Sequence, residues 1–431
     1  MKNSTSRDRV SLFVVLLLSA LFHIGCGATC DRISEDREQF LTRKATNTGT
    51  HVEMLIPFGV AEALIVPHLS AVQPVTLRIP NLGKVADYFG DLSVAPTEVT
   101  LIPASPEHIG FHLDFEVRRN GKSVFPVFVE TEVRPEIDLA AGKIVIGFTP
   151  DALEKAKPGI SKNAEAKLGD LIYEQIPAMA RFLIPRAAVD SVVASAVNML
   201  VNSFHTKLKD KLLPSLAKLS RFEIALPNIP LAAVSITSAD ENGGRLRLAM
   251  TTSLPVREGI ATGDDSGGQP SREHITLRLS GATAAELVNW ALKKGLVPDR
   301  YDDKGKAKKD GALRPGLDWI PGDERPMKVY LWDLEKPCMR FTLSAKPAVA
   351  IVDDKLEMKA EDAHTDDIEA SAFTKVGVWF YMLWKDPMNL NQKRASKIKM
   401  VVAGKEMEIV LKKAAYEQNE FIVEIQLSIA S

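Results

Sequence analysis

The sequence predicts an α+β fold in which antiparallel sheets are covered by one long helix, arranged as two unequal halves in tandem. Three observations predict it: two-residue alternation of apolar and polar side chains, one block with helical periodicity, and a glycine-rich stretch between two segments that begin alike. Strands with a single apolar face need a cover, and the helical block is the element long enough to supply it.

The clearest alternation is Ile109, Phe111, Leu113, Phe115 and Val117, interleaved with Gly110, His112, Asp114, Glu116 and Arg118. Leu246, Leu248, Met250 and Leu254 repeat it, as do Phe421, Val423, Ile425, Leu427 and Ile429. Asn120-Gly121 and Asn242-Gly243-Gly244 are hairpin signals. The helical block spans 150–216 and is interrupted by Pro158, Pro177, Pro185 and Pro214. After Pro185, the residues Val189, Val193, Ala196, Leu200, Phe204, Leu208 and Leu212 recur at three- and four-residue steps, opposite Asp190, Ser195, Asn202 and Lys209. That spacing predicts a helix of about 28 residues, ~42 Å long.

Residues 257–273 carry Gly259, Gly263, Gly267, Gly268 and Pro270 and read as a linker between a domain at 51–256 and a second, mostly β domain at 274–431. Beyond the linker, His274–Leu279 leads into Ala284-Ala285-Glu286 much as His51–Ile56 leads into Val60-Ala61-Glu62. This is an internal repeat of one strand and one helix, incomplete because no second long helix follows. In the second copy Thr283 and Glu286 read as a capping box, and Gly295 as the helix stop.

The first 25 residues have the parts of a secretory signal: Lys2, Arg7 and Arg9, an apolar run from Val10 to Phe22, then Gly25. The run is shorter than the roughly 20 apolar residues that span a bilayer. Leu21-Phe22-His23-Ile24-Gly25-Cys26 resembles the lipobox of bacterial lipoproteins, with His23 where leucine is usual. The resemblance implies a diacylglyceryl group and acyl chains such as palmitate on Cys26, and no other cofactor. Gly27 in place of Asp implies an outer-membrane address in the bacterial envelope, reached through the periplasm. Two buried acyl chains, at ~0.8 kcal/mol per methylene, anchor a protein stably.

Without residues 1–25 the chain keeps 51 basic and 54 acidic residues, a net charge of −3. So mild a balance excludes nucleic acid as the main partner. With 45% hydrophobic and 25% charged residues the composition is that of a globular protein with a large core. Cys30 and Cys338 are enough for one disulfide in an oxidising compartment, and spacing does not decide whether they meet. Residues 26–50, with Arg32, Glu35, Asp36, Arg37, Glu38, Arg43 and Lys44, read as a charged tether reaching ~60 Å when extended.

Chemistry-bearing motifs are few. Gly263-Asp264-Asp265-Ser266-Gly267-Gly268 looks like the nucleophile segment of chymotrypsin-like proteases, but an extra aspartate breaks the spacing and no histidine stands in that family's setting, so no enzyme is expected. His108 and His112 share a strand face with Asp114 and Glu116, yet His108 and His112 stand ~13.5 Å apart along an extended strand, too far for one metal. Glu361, Asp362, His364, Asp366 and Asp367 lack the glycine and spacing of a calcium loop. Tyr301 to Arg314 mixes lysines and aspartates without a glycine-rich phosphate cradle and reads as an exposed loop. Trp379, Phe380, Tyr381, Met382 and Trp384 form the densest aromatic stretch, a buried strand or an aromatic entrance for lipid.

The strand-to-helix starts, the long helix and phrases such as Leu226-Pro227-Asn228-Ile229-Pro230-Leu231 before a strand pair resemble the TULIP superfamily, which includes bactericidal/permeability-increasing protein. The resemblance covers most of 48–256 and, less well, 272–431. It implies strongly curved antiparallel sheets wrapped on a long helix, and an apolar groove for acyl chains. Ile109, Phe111, Leu113, Phe115, Val193, Leu200 and Phe204 are the candidate wall of that groove. The expected partners are a membrane through the lipid anchor, a lipid or other apolar ligand, and another envelope protein. The rival expectation is a non-catalytic structural or partner-binding lipoprotein whose aliphatic side chains fill the core.

Overall fold

The structure, a computed structural model, describes residues 29–44, 49–69, 74–78, 91–105, 107–161, 185–207, 222–239, 244–261, 273–302, 306–335, 338–370, 392–402 and 405–429, with a few positions between 163 and 173. Helix α1 covers residues 29–41. The first half continues with β1 (Val52–Pro57), α2 (Phe58–Leu69), β2 (Val75–Arg78), β3 (Asp91–Ile102), β4 (Ile109–Arg119), β5 (Lys122–Val133), β6 (Glu136–Asp138), β7 (Lys143–Ile146), α3 (Pro150–Glu154), β8 (Lys157–Gly159), α4 (Arg186–Lys207), β9 (Phe222–Ala225), β10 (Leu231–Ala239) and β11 (Arg245–Thr252). The second half consists of β12 (Ile275–Ser280), α5 (Gly281–Lys293), β13 (Leu313–Trp319), β14 (Met327–Asp333), β15 (Met339–Val352), β16 (Lys355–Ala370), β17 (Gln392–Ala395), β18 (Lys397–Val402), β19 (Lys405–Glu417) and β20 (Glu420–Ile429).

Antiparallel pairing joins these strands into a seven-stranded sheet, β10-β11-β1-β12-β20-β19-β18, two five-stranded sheets, β13-β14-β15-β16-β17 and β2-β3-β4-β5-β8, and a three-stranded sheet, β6-β7-β9. The two strand-helix units of the repeat begin side by side. Strand β1 lies between β11 and β12, and β12 between β1 and β20, so each opening strand is flanked by the hairpin that closes its own half. Glu53 of the first unit faces Arg278 of the second in register.

The expected sheets curled around a long helix are not found. Strand makes up 53% and helix 20%, and the sheets are not strongly curled or wrapped. The 22-residue α4 is the longest helix among the described residues; Leu208 and Leu212 of the expected 28-residue helix lie outside them. One reason is Pro158: it sits in the edge strand β8, opposite Val129 of β5, where its missing N–H breaks no ladder. The block read as helical is therefore divided by a strand. The second reason is that the apolar faces cover one another. Leu92 and Val94 of β3, Phe111 and Phe115 of β4 and Phe125 of β5 pack in one cluster with Phe58 of α2, Ile144 of β7 and Leu248 of β11. No described residue of α4 belongs to that cluster.

Residues 29–41, expected as part of an extended tether, are helical and docked. Cys30 and Cys338 form a disulfide that closes 308 residues of chain. Ile33 is fully buried, and Phe40 packs on Trp332 and Tyr330 at centroid distances of 5.1 and 5.4 Å. Asp36 accepts from Trp332 Nε1 at 3.0 Å and pairs with Arg340 at 2.9 Å. The charges of this stretch are the outward and pairing face of an amphipathic strap; Ile33 is buried and Phe40 partly buried, while Leu41 stays exposed.

In α5 the N-cap is Ser280, whose hydroxyl accepts from Thr283 N at 3.1 Å; Thr283 is the third helical residue and not the cap. Gly295 has φ +69°, the left-handed turn that follows a helix C-terminus. Glu286 serves another partner: Arg43, just past the strap, meets it at 2.8 Å and Asp318 at 3.0 Å. Burial holds the Glu286 carboxyl above its ordinary value of 4.5, against the pull of Arg43. A carboxyl that is harder to ionise when folded removes stability as pH rises from that ordinary value through the raised one. Glu286→Gln is therefore expected to flatten the decline of the melting temperature as pH rises above that ordinary value, read from thermal scans upward from there. An unchanged slope refutes it.

Candidate functional site

Beside the β4–β5 hairpin lies a cavity of about 940 Å³, within the range of small-molecule sites. Its charged wall follows from the strand period. The alternation that buries Val127, Val129 and Val133 in β5 turns Glu130 and Glu132 to the opposite face, toward the cavity. Its aliphatic wall comes from Ile102 at the end of β3, Ile137 in β6, and Val234 and Ile236 in β10.

Short hydrogen bonds set these walls. Thr131 donates to Ala152 O at 2.6 Å, and Ala152 N donates to Thr149 Oγ1 at 3.2 Å, fixing α3 so that Asp151 and Lys155 stand at the rim, 2.9 Å apart. Ser238 donates to His108 O at 3.1 Å and accepts from Ala104 N at 3.2 Å, tying β10 to the loop before β4. Around the mouth Ser105 donates to Glu132 at 2.6 Å and Arg134 pairs with Glu107 at 2.6 Å. The result is one aliphatic side and one side of paired charges, which suits a ligand with an apolar body and a polar head.

The residues singled out from sequence are placed differently. Ile109, Phe111, Leu113 and Phe115 are 1–2% exposed and lie inside the packed cluster, and none lines the cavity. Val193, Leu200 and Phe204 belong to α4 by backbone, but their side chains lie outside the described residues, as do Cys26, Ser266 and the aromatic stretch around Trp379. His108 lines the cavity. His112 stands apart, with Glu130 at 3.2 Å, Asp114 at 3.5 Å and the Phe128 ring stacked at 4.8 Å. Among the described residues no group of three His, Cys, Asp or Glu side chains is placed to hold a metal ion. The acids of β16 serve neighbouring elements: Asp362 pairs at 2.9 Å with Arg325 in the β13–β14 connection, and Asp366 with Lys328 at 3.1 Å and with the Ser344 hydroxyl at 2.6 Å. The signal that points to the cavity is the acidic face of β5, Glu130 and Glu132, which an eye on apolar faces passes over.

No protein-family model matches the chain, and no curated protein matches it. Among solved structures it is similar to P47 from Clostridium botulinum A2, at 7% identity and a TM-score of 0.43 over 89% of this chain and 98% of that one. P47 of Clostridium botulinum E1 follows at 9% identity and a TM-score of 0.43, over 88% of this chain and 99% of that one. A lipopolysaccharide binding protein shares 11% identity at a TM-score of 0.24, over 89% of this chain and 100% of that one. Likenesses at this level leave fold and function to be argued from the chain's own strand order and side chains.

Proposed function

We propose that this chain is a non-catalytic lipoprotein of the bacterial envelope, anchored in the outer membrane through acylated Cys26, that takes an amphipathic lipid into the cavity beside β5. The observation that carries the reading is the cavity's division into an aliphatic wall of Ile102, Val234 and Ile236 and a charged wall of Glu130, Glu132 and Arg134. An acyl chain on the first and a headgroup among the second satisfies both without burying a charge alone. The anchor rests on the sequence around Cys26; among the described residues no helix is long and apolar enough to cross a membrane.

A second reading, a scaffold that binds a protein partner, draws on the closed core around Phe111 and Phe115. Native mass spectrometry of the chain purified from a bacterial host separates the two. A lipid mass is expected on the wild type, and Val234→Trp, which fills the aliphatic wall, is expected to lose most of it while the far-UV spectrum still shows a folded chain. Protein without bound lipid that also takes up no fluorescent fatty acid leaves the scaffold reading in its place.

A further inference from the structure

The strap and its disulfide say where on the fold the membrane must be. Only Gly27, Ala28 and Thr29 separate Cys26 from Cys30, a span of at most ~14 Å. Cys30 is fixed to Cys338, which precedes β15, and Met339 at the start of β15 faces Asp333 at the end of β14, which faces Leu313 at the start of β13. The loop before β13 returns to the same end: Tyr301 and Leu313 exchange two backbone hydrogen bonds of 3.0 Å. An acylated Cys26 therefore holds this end of the β13–β17 sheet against the bilayer. The expected ~60 Å tether is gone.

What gathers at this end is arginine. In the antiparallel bridge the pair next to Tyr301 and Leu313 is Arg300 and Arg314, and like charges in facing positions repel. The Arg314 side chain is only 16% exposed, and its carboxylate partner, the open Asp299, stands 3.7 Å away. Arg37 of the strap joins them, its Nε buried without a hydrogen-bond partner. Burial, with the Arg300 charge, pushes Arg37 and Arg314 below the ordinary arginine value; Asp299 opposes this at both, Glu38 also at Arg37 and Glu335 also at Arg314. Exposed Lys306, Lys308 and Lys309 rim the group, and Asp302 and Asp310 are taken up locally by Lys306 N and Lys308. Neighbouring guanidiniums are stabilised when a further anion joins them, and a phosphate fits their fork geometry.

We propose that Arg37, Arg300 and Arg314 form a binding site for the phosphate of an anionic phospholipid headgroup, seated on the bilayer that holds the anchor. The proposal rests on the reading of Cys26 as acylated for its orientation, but its test does not. The Cys26→Ala chain, which cannot be acylated there, is floated with vesicles of phosphatidylcholine alone or mixed with phosphatidylglycerol. Binding is expected to the mixed vesicles only. Each basic residue near an anionic surface is worth about 1 kcal/mol, or roughly fivefold, so Arg300→Gln should weaken binding about fivefold and Arg300→Gln with Arg314→Gln about 25-fold. Because Arg300→Gln relieves a like-charge pair, its melting temperature should stay level or rise, which separates lost binding from lost folding. Inorganic phosphate should compete better than chloride at equal ionic strength; equal competition means a diffuse charge effect and overturns the site. Equal binding of wild type and both variants overturns it too. Intact mass of the wild type, with or without the acyl increment, decides the anchor separately.

Discussion

Arg278→Met is expected to destabilise the chain by about 3–5 kcal/mol, the usual cost of leaving a buried carboxylate without its partner. Arg278 lies where the two halves meet. Its guanidinium reaches Glu53 of β1 at 2.7 Å and Glu420 of β20 at 2.7 Å, with side-chain exposures of 11%, 2% and 5% for the three residues. Glu420 also accepts from Ala261 N at 3.0 Å, so the same cluster pins the segment that enters the linker. Arg247 of β11 meets Glu53 from the other side and is 39% exposed. With Arg278 removed, Glu53 still has Arg247, but Glu420 keeps only a backbone donor. Glu420→Gln retains that acceptor and sheds the charge, so Arg278→Met with Glu420→Gln should recover a large part of the loss. Arg247→Met should cost about 1 kcal/mol or less, since its partner is held by Arg278 and its own charge is screened. Urea unfolding of the single and double variants measures the coupling. A loss under about 1 kcal/mol for Arg278→Met would show that the seam is held by strand pairing and packing, and that the charges only select the register.

That seam was partly visible beforehand. The similarity of residues 51–62 and 274–286 announced two like units, and period-two alternation announced β4 and its I′ turn, in which Asn120 and Gly121 have φ 50° and 79°. The pairing of β1 with β12 was not visible, because register across 225 residues depends on which charges are buried together, and a sequence does not mark Glu53, Arg278 and Glu420 as buried. Helical periodicity misled in a different way. It identifies a face able to pack but not the partner; among the described residues the β3–β5 faces pack with β7, β11 and the short α2, while Pro158 joined an edge strand. Composition alone makes the strap look like a tether. A segment with charges at Arg32, Asp36, Arg37 and Arg43 looks solvated until each charge is given a face, and Ile33, Phe40 and Cys30 then share the buried one. The apolar face of β4 is packed, whereas the open space borders the polar face of β5 and residues of β10, which apolar alternation does not mark.

Cys338→Ser should cost about 2–5 kcal/mol, toward the upper part of that range because the lost link closes 308 residues and the entropy of a cross-link grows with its loop. The strap should not leave entirely. Ile33 and Trp332 are buried against each other's cluster, Arg340 bridges Asp36 to Glu369, and Phe40 stays under the Arg43 guanidinium at 3.9 Å. Trypsin is therefore expected to cut after Arg32 in Cys338→Ser while sparing Arg43, which is 18% exposed and held by Glu286 and Asp318. Adding Trp332→Ala removes the surface on which Phe40 rests, and cleavage should then extend to Arg37 and Arg43. Reductant should reproduce the first pattern in the wild type and change nothing in Cys338→Ser. If the wild type and Cys338→Ser are cut at the same sites and rates, packing alone holds the strap and the disulfide is redundant. If reduction frees the whole segment, the disulfide is its main fastening. The second outcome bears on membrane distance, since a chain held by acylated Cys26 would then be moored at residue 50 instead of residue 30, and the arginine end would no longer be pressed to the bilayer.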